Sequence, residues 1–226
     1  MNNIFRGLGI ALVTPFTDDG KIDYESLSSI IEYQLSNDAD FLCILANTGE
    51  TPCLSTEEYW AVKEFIVKQV NGRVPLLMGC GGNNTAAIVE TLKTGDFSGI
   101  DGILSICPYY NKPSQEGLYQ HFKAISAATK LPIVMYNVPG RTGINLKPET
   151  TCRLANDCEN IVAIKEASGS IEQVDEIIKY KPKDFEVLSG DDAITFHMIA
   201  TGAVGVISVI GNALPKKIVG ENENLE

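Results

Sequence analysis

Eight short apolar runs, each followed by a segment with helical spacing, constrain the fold of this chain more than any other feature. Each run is about as long as a β-strand, is rich in Ile, Val and Leu, and is nearly continuous rather than alternating. That pattern is typical of parallel strands covered on both faces. The runs are residues 9–16, 41–46, 75–80, 102–107, 132–137, 161–166, 185–190 and 205–210.

The segments between the runs carry the spacing of amphipathic helices. Leu27, Ile31 and Leu35 fall four residues apart, and Ser55 with Glu58 has the spacing of a capping box. Eight strands that alternate with helices predict a closed (β/α)8 barrel, the TIM barrel, as a single domain over residues 1–226. An open doubly wound sheet is the alternative fold, but the first run lacks its phosphate-binding glycine motif.

The sequence after the eighth run departs from this repeat. A complete barrel requires an eighth amphipathic helix there, and residues 215–226 are too few and too polar to supply one. We therefore expect a barrel that is incomplete at its C-terminus.

Composition narrows the functional classes. The formal net charge is −11, and no basic stripe offsets it, so we do not expect nucleic-acid binding. The six cysteines form no C-x-x-C pair and there are two histidines, so we predict no metal site. The paired acids Asp191 and Asp192 disfavour a phosphate-bearing group after the seventh run, and we predict no cofactor. Neither a signal peptide nor a membrane span is evident, so we expect a soluble, cytoplasmic protein.

A lysine follows four apolar residues in the sixth run. Catalytic residues of barrels lie at the carboxyl ends of strands, where Lys165 falls. Apolar surroundings disfavour the ammonium ion and lower the lysine pKa. A pKa about 3 below the usual value near 10.4 raises the fraction of neutral amine at pH 7 roughly a thousandfold. Neutral amine attacks a ketone to form an imine, whereas a lysine that reaches solvent is the alternative interpretation.

Polar residues after three other runs are suited to assist this chemistry. Tyr136, one strand from Lys165, is a phenol able to relay protons. Arg141 carries a planar guanidinium that suits a carboxylate. A Thr-Gly turn at residues 48–49 offers a hydroxyl and backbone N–H groups to a small carboxylate. A core tyrosine, a surface arginine and an ordinary turn are the alternatives.

Five segments, in this order, resemble the dihydrodipicolinate synthase / N-acetylneuraminate lyase family over about residues 8–215. They are the Thr-Gly-Glu turn and the segments around two tyrosines, the lysine and the paired acids, at residues 48–50, 108–117, 136–143, 164–169 and 189–192. The resemblance implies a TIM barrel. Family members continue with an eighth barrel helix and a small helical domain, which we expect this chain to lack.

The resemblance implies four catalytic residues. Lys165 forms the Schiff base with pyruvate, and Tyr136 shuttles protons. Tyr110 matches the tyrosine that members insert into a neighbouring subunit's active site, which implies a homo-oligomer, a dimer or a tetramer. Asn47 stands where most synthases have Thr or Ser in a hydroxyl relay. Because an amide does not relay a proton as a hydroxyl does, we expect a weaker proton shuttle.

The resemblance also implies the substrate-binding residues. Thr48 and Gly49 match the site of the pyruvate carboxylate. Gly190 and Ile207 match pocket positions, the latter through its backbone carbonyl. Arg141 resembles the arginine of the synthase branch that binds the carboxylate of aspartate semialdehyde, which sialic-acid lyases generally lack. The implied reaction is the condensation of pyruvate with aspartate semialdehyde to 4-hydroxy-tetrahydrodipicolinate, on the route to lysine.

Two other functions stay open from the sequence alone. A pyruvate-dependent aldolase for a 2-keto-3-deoxy sugar acid or sialic acid keeps the chemistry and changes the acceptor. A non-catalytic ligand-binding barrel is the alternative of another class, and Asn47 and the short C-terminus favour it.

Overall fold

The computed structural model describes residues 4–216, in which eight strands form a closed barrel. Each strand pairs in parallel with its neighbours in chain order, and the last strand closes on the first. The strands are β1 (Gly7–Ala11), β2 (Phe41–Ile44), β3 (Leu76–Gly79), β4 (Gly102–Ile106), β5 (Ile133–Asn137), β6 (Ile161–Glu166), β7 (Glu186–Ser189) and β8 (Gly205–Ser208).

Helices connect the strands on the outside of the barrel. Within residues 4–216 they are α1 (Tyr24–Leu35), α2 (Thr56–Val70), α3 (Thr85–Thr94), α4 (Gln115–Ala128), α5 (Pro139–Thr142), α6 (Pro148–Asp157), α7 (Ile171–Tyr180) and α8 (Thr195–Thr201). Ser55 and Glu58 form the predicted capping box at the start of α2. The Asp23 carboxylate caps α1 by accepting from two backbone N–H groups.

The core has two layers, which explains why the strand runs are apolar throughout. Side chains alternate across each strand. One set, which includes Phe41, Leu77 and Leu104, fills the inside of the barrel and is fully or almost fully buried. The other set, which includes Leu42 and Ile103, is buried against the helices. Both faces of every strand are therefore covered, as the sequence pattern predicted.

The predicted strands agree with the structure except at their ends. The run at residues 161–166 coincides with β6. The run at residues 9–16 begins two residues after β1 starts and continues past its end. The chain leaves the sheet after the Leu12 N–H donates to the Cys43 carbonyl. Leu12 remains buried, so its apolar character reflects packing rather than strand pairing.

The C-terminal segment is described only in part. Residues 217–226, on which our expectation of a missing eighth helix depends, lie outside the described residues. Within residues 4–216, no helix combines the length and the apolar character needed to cross a membrane.

Candidate active site

Strand β6 carries Lys165 into the inside of the barrel. Ala163, two residues earlier, belongs to the inner layer of the core, and alternation places Lys165 on the same face. The lysine is 4% exposed. Its Cα lies opposite that of Tyr136 on β5 and that of Leu188 on β7. The prediction of a desolvated lysine at this strand end is confirmed, and a lysine that reaches solvent is ruled out.

Gly190 leaves the space that the lysine side chain occupies. A Cβ at this position would lie 3.0 Å from both Cγ and Cε of Lys165 and 2.9 Å from the Cβ of Ala167. The Gly190 N–H donates to the Glu166 carbonyl at 2.8 Å, which fixes the turn after β7 beside β6. The predicted substrate-binding position Gly190 therefore contacts the lysine stem itself.

The amine of Lys165 packs on the ring of Tyr136. The lysine Nζ lies 4.4 Å from the ring centroid. Burial lowers the pKa of Lys165 below its ordinary value. Burial also raises the pKa of Tyr136 to about 12, against the opposing influence of the Arg141 cation. At neutral pH the pair is thus biased toward a neutral amine beside a protonated phenol, which is the combination that imine formation requires.

Three further groups act electrostatically on Lys165. Cys43 on β2 and Asp192 after β7 raise its pKa, whereas Arg141 lowers it; all three effects are smaller than that of burial. Burial raises the pKa of the Cys43 thiol to about 11. Sequence reasoning assigned no role in the site to Cys43. Its position two residues after Phe41, an inner-layer residue, is the signal that places it inside the barrel.

The Thr-Gly turn follows β2 at the same end of the barrel. Thr48 is half-buried and Gly49 is buried. The Thr14 hydroxyl donates to the Gly49 carbonyl at 2.8 Å, and the Thr51 hydroxyl donates to the Ala46 carbonyl at 2.9 Å. The Thr14 bond holds the turn against the chain that leaves β1, and the Thr51 bond closes the turn on itself. Sequence reasoning did not identify Thr14 as a supporting residue.

A cavity of about 610 Å³ opens beside these residues. Its walls include three predicted site residues, Asn47, Tyr136 and Arg141. Arg141 is the only charged side chain among the walls within the described residues. Lys165 is not among them, so Tyr136 is the residue that both contacts the buried amine and lines the cavity. A cavity whose charge comes from one guanidinium favours an anionic ligand.

The structure separates Tyr110 from the other predicted site residues, whereas Ile207 lies inside the barrel. Tyr110 is 88% exposed, so within a single chain its phenol lies in solvent rather than beside Lys165. Its backbone is left-handed, with φ +71°, and its N–H donates to the Thr142 carbonyl at 3.3 Å. Ile207 is buried in the inner layer of the core, with its Cα opposite that of Gly9.

The described residues offer no obvious metal centre. No group of three or more His, Cys, Asp or Glu side chains within residues 4–216 is placed to hold an ion. All six cysteines are free thiols.

Comparison with known proteins identifies relatives along nearly the whole chain. The sequence profile of the dihydrodipicolinate synthetase family matches residues 4–225. A 4-hydroxy-tetrahydrodipicolinate synthase of Phocaeicola vulgatus is 59% identical over 212 residues, which are 94% of this chain and 71% of that protein. The crystal structure of a dihydrodipicolinate synthase from Bacillus anthracis has a TM-score of 0.95 at 39% identity and covers 100% of this chain and 76% of its own. The crystal structure of an Acinetobacter baumannii dihydrodipicolinate synthase complexed with pyruvate has a TM-score of 0.92 at 40% identity. The match covers 96% of this chain and 74% of the Acinetobacter chain.

Replacing the buried lysine with an apolar residue of similar length tests its desolvation. We expect Lys165→Met to raise the melting temperature at pH 7 by about 2–4 °C, because methionine needs no neutralisation on burial. The unfolded chain keeps its lysine proton up to about pH 10.4, whereas the lowered pKa makes the folded chain release it at a lower pH. The stability of the unmodified protein therefore rises with pH in this window, and the advantage of the variant shrinks as the pH approaches 10.

Thermal unfolding of both proteins between pH 7 and pH 10 measures this difference. Exposed Lys183→Met is the matched control, for which no such pH-dependent gain is expected. A Lys165→Met variant that melts below the unmodified protein throughout this range contradicts the prediction.

Proposed function

This chain belongs to the dihydrodipicolinate synthetase family, and we propose that Lys165 is the residue through which it performs the family's Schiff-base chemistry. The activity is that of a lyase that condenses pyruvate with aspartate semialdehyde to 4-hydroxy-tetrahydrodipicolinate, in the biosynthesis of lysine through diaminopimelate. The sugar-acid aldolase and the non-catalytic barrel, left open by the sequence, do not agree with these relatives. The observation that carries the residue assignment is the buried Lys165 amine against the Tyr136 ring.

Imine formation is the first step. The neutral Nζ of Lys165 attacks the ketone carbon of pyruvate, and a C–N bond forms as the carbonyl oxygen takes up a proton. Tyr136, whose phenol remains protonated at neutral pH because burial raises its pKa to about 12, supplies that proton and regains one from the nitrogen. The hydroxyl of the neutral carbinolamine then takes a second proton from Tyr136, which is reprotonated from solvent, and leaves as water, so that a protonated imine remains on Lys165.

Carbon–carbon bond formation follows from the protonated imine. Its positive nitrogen draws electrons from the adjacent carbon, so the pyruvate methyl group loses a proton and an enamine forms. The enamine carbon attacks the aldehyde carbon of aspartate semialdehyde; the C=O π bond breaks, the oxygen takes up a proton to become the 4-hydroxyl group, and the imine on Lys165 forms again. The amino group of the bound product then replaces the Lys165 nitrogen at the imine carbon, which closes the ring and restores the free amine.

Two groups are proposed to bind the substrate carboxylates. The turn of Thr48 and Gly49, fixed by the Thr14 hydroxyl, presents a hydroxyl and backbone N–H groups to the carboxylate of pyruvate. Arg141 presents its guanidinium from the cavity wall to the carboxylate of aspartate semialdehyde. We further propose that Gly190 shapes the pocket around the lysine stem and that the Ile207 carbonyl lines it.

Asn47 and Tyr110 are proposed to occupy the two positions that accompany Tyr136 in the proton relay. Asn47 is exposed and lines the cavity beside Tyr136, which agrees with a position in the relay. Its amide donates and accepts hydrogen bonds but does not pass a proton on, so we expect a slower shuttle than a hydroxyl would give.

We propose that Tyr110 acts in the site of a neighbouring subunit. The Tyr110 ring is 88% exposed on a left-handed backbone, which supports burial of the ring by a second copy of the chain. A homo-oligomer, either a dimer or a tetramer, is therefore proposed, and sedimentation of the chain as a monomer at micromolar concentration would exclude it. A single barrel domain over residues 1–226 and a cytoplasmic location are retained as proposals.

Reductive trapping tests the assignment of Lys165. Sodium borohydride added in the presence of pyruvate reduces the imine to a stable secondary amine, and we expect mass spectrometry to place the adduct on Lys165. Tyr136→Phe keeps the ring beneath the amine but removes the hydroxyl, so adduct formation should slow by roughly 10²–10³-fold without loss of folding.

Tyr119 provides the matched control, because it is buried and lies away from the site. Its hydroxyl donates to the Asp157 carboxylate at 2.7 Å. Tyr119→Phe is expected to leave the trapping rate unchanged. Absence of an adduct on a folded chain, or an adduct at another lysine, would reject Lys165 as the reactive amine.

Steady-state kinetics with each substrate varied in turn test the role of Arg141. We expect Arg141→Ala to lower kcat/KM for aspartate semialdehyde by about 10²–10³-fold, since an Arg–carboxylate pair contributes a few kcal/mol in a cavity. Trapping with pyruvate alone should persist. If kcat/KM for aspartate semialdehyde changes less than threefold, Arg141 does not bind this substrate.

A further inference from the structure

Asp192 lies at the mouth of the barrel, where one of its carboxylate oxygens accepts hydrogen bonds and the other accepts none from the described residues. It follows β7 by three residues, in the turn that packs Gly190 against the Lys165 stem. Its Oδ2 accepts from the backbone N–H groups of Val209 and Ile210, both at 3.0 Å, which join this turn to the end of β8. Its Oδ1 is buried and has no hydrogen-bond partner among the described residues.

Asp192 differs in the sign of its charge from the other groups that act on Lys165. Cys43 on β2 and Tyr136 on β5 are neutral near pH 7, because burial raises their pKa values to about 11 and about 12. Arg141 on α5 is a cation and opposes a positive charge on Lys165. Within the described residues, Asp192 is therefore the negative charge that acts on the lysine nitrogen at neutral pH.

The reaction requires the Lys165 nitrogen to have a different charge in two successive steps. It is uncharged when it attacks the ketone, and it is positive in the protonated imine that loses the methyl proton. Burial favours the first state and disfavours the second. A carboxylate held by two backbone N–H groups needs no reorganisation to stabilise the positive charge when it forms.

We propose that Asp192 is a positioning residue that stabilises the protonated imine on Lys165, acting through the lysine nitrogen rather than on the substrate. This inference depends on the proposed function, because it presupposes the imine. It predicts effects of opposite sign on two steps. Removing the charge favours the neutral amine, so attack on pyruvate persists at lower pH, but it slows the loss of the methyl proton.

Asp192→Asn removes the charge and keeps an oxygen for the two backbone N–H groups. Trapping with pyruvate and sodium cyanoborohydride between pH 5.5 and pH 9 measures imine formation, and its pH profile should shift to lower pH by about half a unit or more. Exchange of the pyruvate methyl protons in D₂O, followed by NMR without aspartate semialdehyde, measures enamine formation. We expect this exchange to slow by about tenfold.

Asp191→Asn is the matched control. Asp191 lies in the same turn, where its carboxylate accepts from the Ala193 N–H at 3.0 Å, but it is not among the groups that act on Lys165. Its profile and exchange rate should match those of the unmodified protein. Asp192→Glu, which retains the charge, should lie closer to the unmodified protein than Asp192→Asn does.

The outcomes separate this proposal from the assignment of the reactive lysine. If the unmodified protein forms no adduct, the proposed function fails first. If it forms one and a folded Asp192→Asn variant shows an unshifted profile, or a uniform loss in both steps, Asp192 does not act on the nitrogen. Asp192→Ser, which can still accept one hydrogen bond, serves if the asparagine variant does not fold. If neither variant folds, the carboxylate is structural and the proposal is overturned.

Discussion

The packing of the Lys165 amine against the Tyr136 ring, inside an apolar barrel, is the interaction on which the site depends. Desolvation lowers the lysine pKa and raises that of the phenol, so both groups are biased to their neutral forms by the same cause. The position follows from the fold, because β5 and β6 place the two Cα atoms opposite each other and Gly190 leaves room for the stem. The contact between Lys165 and Tyr136 thus follows from the register of β5 and β6 and from the absence of a side chain at Gly190.

The electrostatics of the site differ from those of the whole molecule. The chain carries a net charge of −11, which repels anions at long range. The cavity beside Lys165 nevertheless has Arg141 as its only charged wall within the described part of the chain. Under the proposed function, the local charge of Arg141 recognises the carboxylate of aspartate semialdehyde. Two backbone N–H groups hold one oxygen of the Asp192 carboxylate at the end of β8.

Strands and the central lysine were predictable from sequence because they depend on local pattern. The run at residues 161–166 coincides with β6, and a lysine after four apolar residues at a strand end is desolvated as expected. The end of β1 was missed because Leu12 stays buried after it leaves the sheet. The effects of Cys43 and Asp192 on Lys165 were missed because they depend on which side chains the closed barrel brings together, Cys43 from β2 and Asp192 from the turn after β7. The solvent-facing Tyr110 is not explained by any pattern within one chain.

Direct titration of the Lys165 amine tests the central claim most directly. Lysine labelled with ¹³C at Cε reports the charge of each amine through its chemical shift, and Lys165→Met identifies the signal of residue 165 by its absence. The account predicts that this signal titrates well below the other lysines, whose ordinary value is near 10.4. A signal that titrates together with the exposed lysines would show that Lys165 is charged at neutral pH, and the buried-amine account would be wrong.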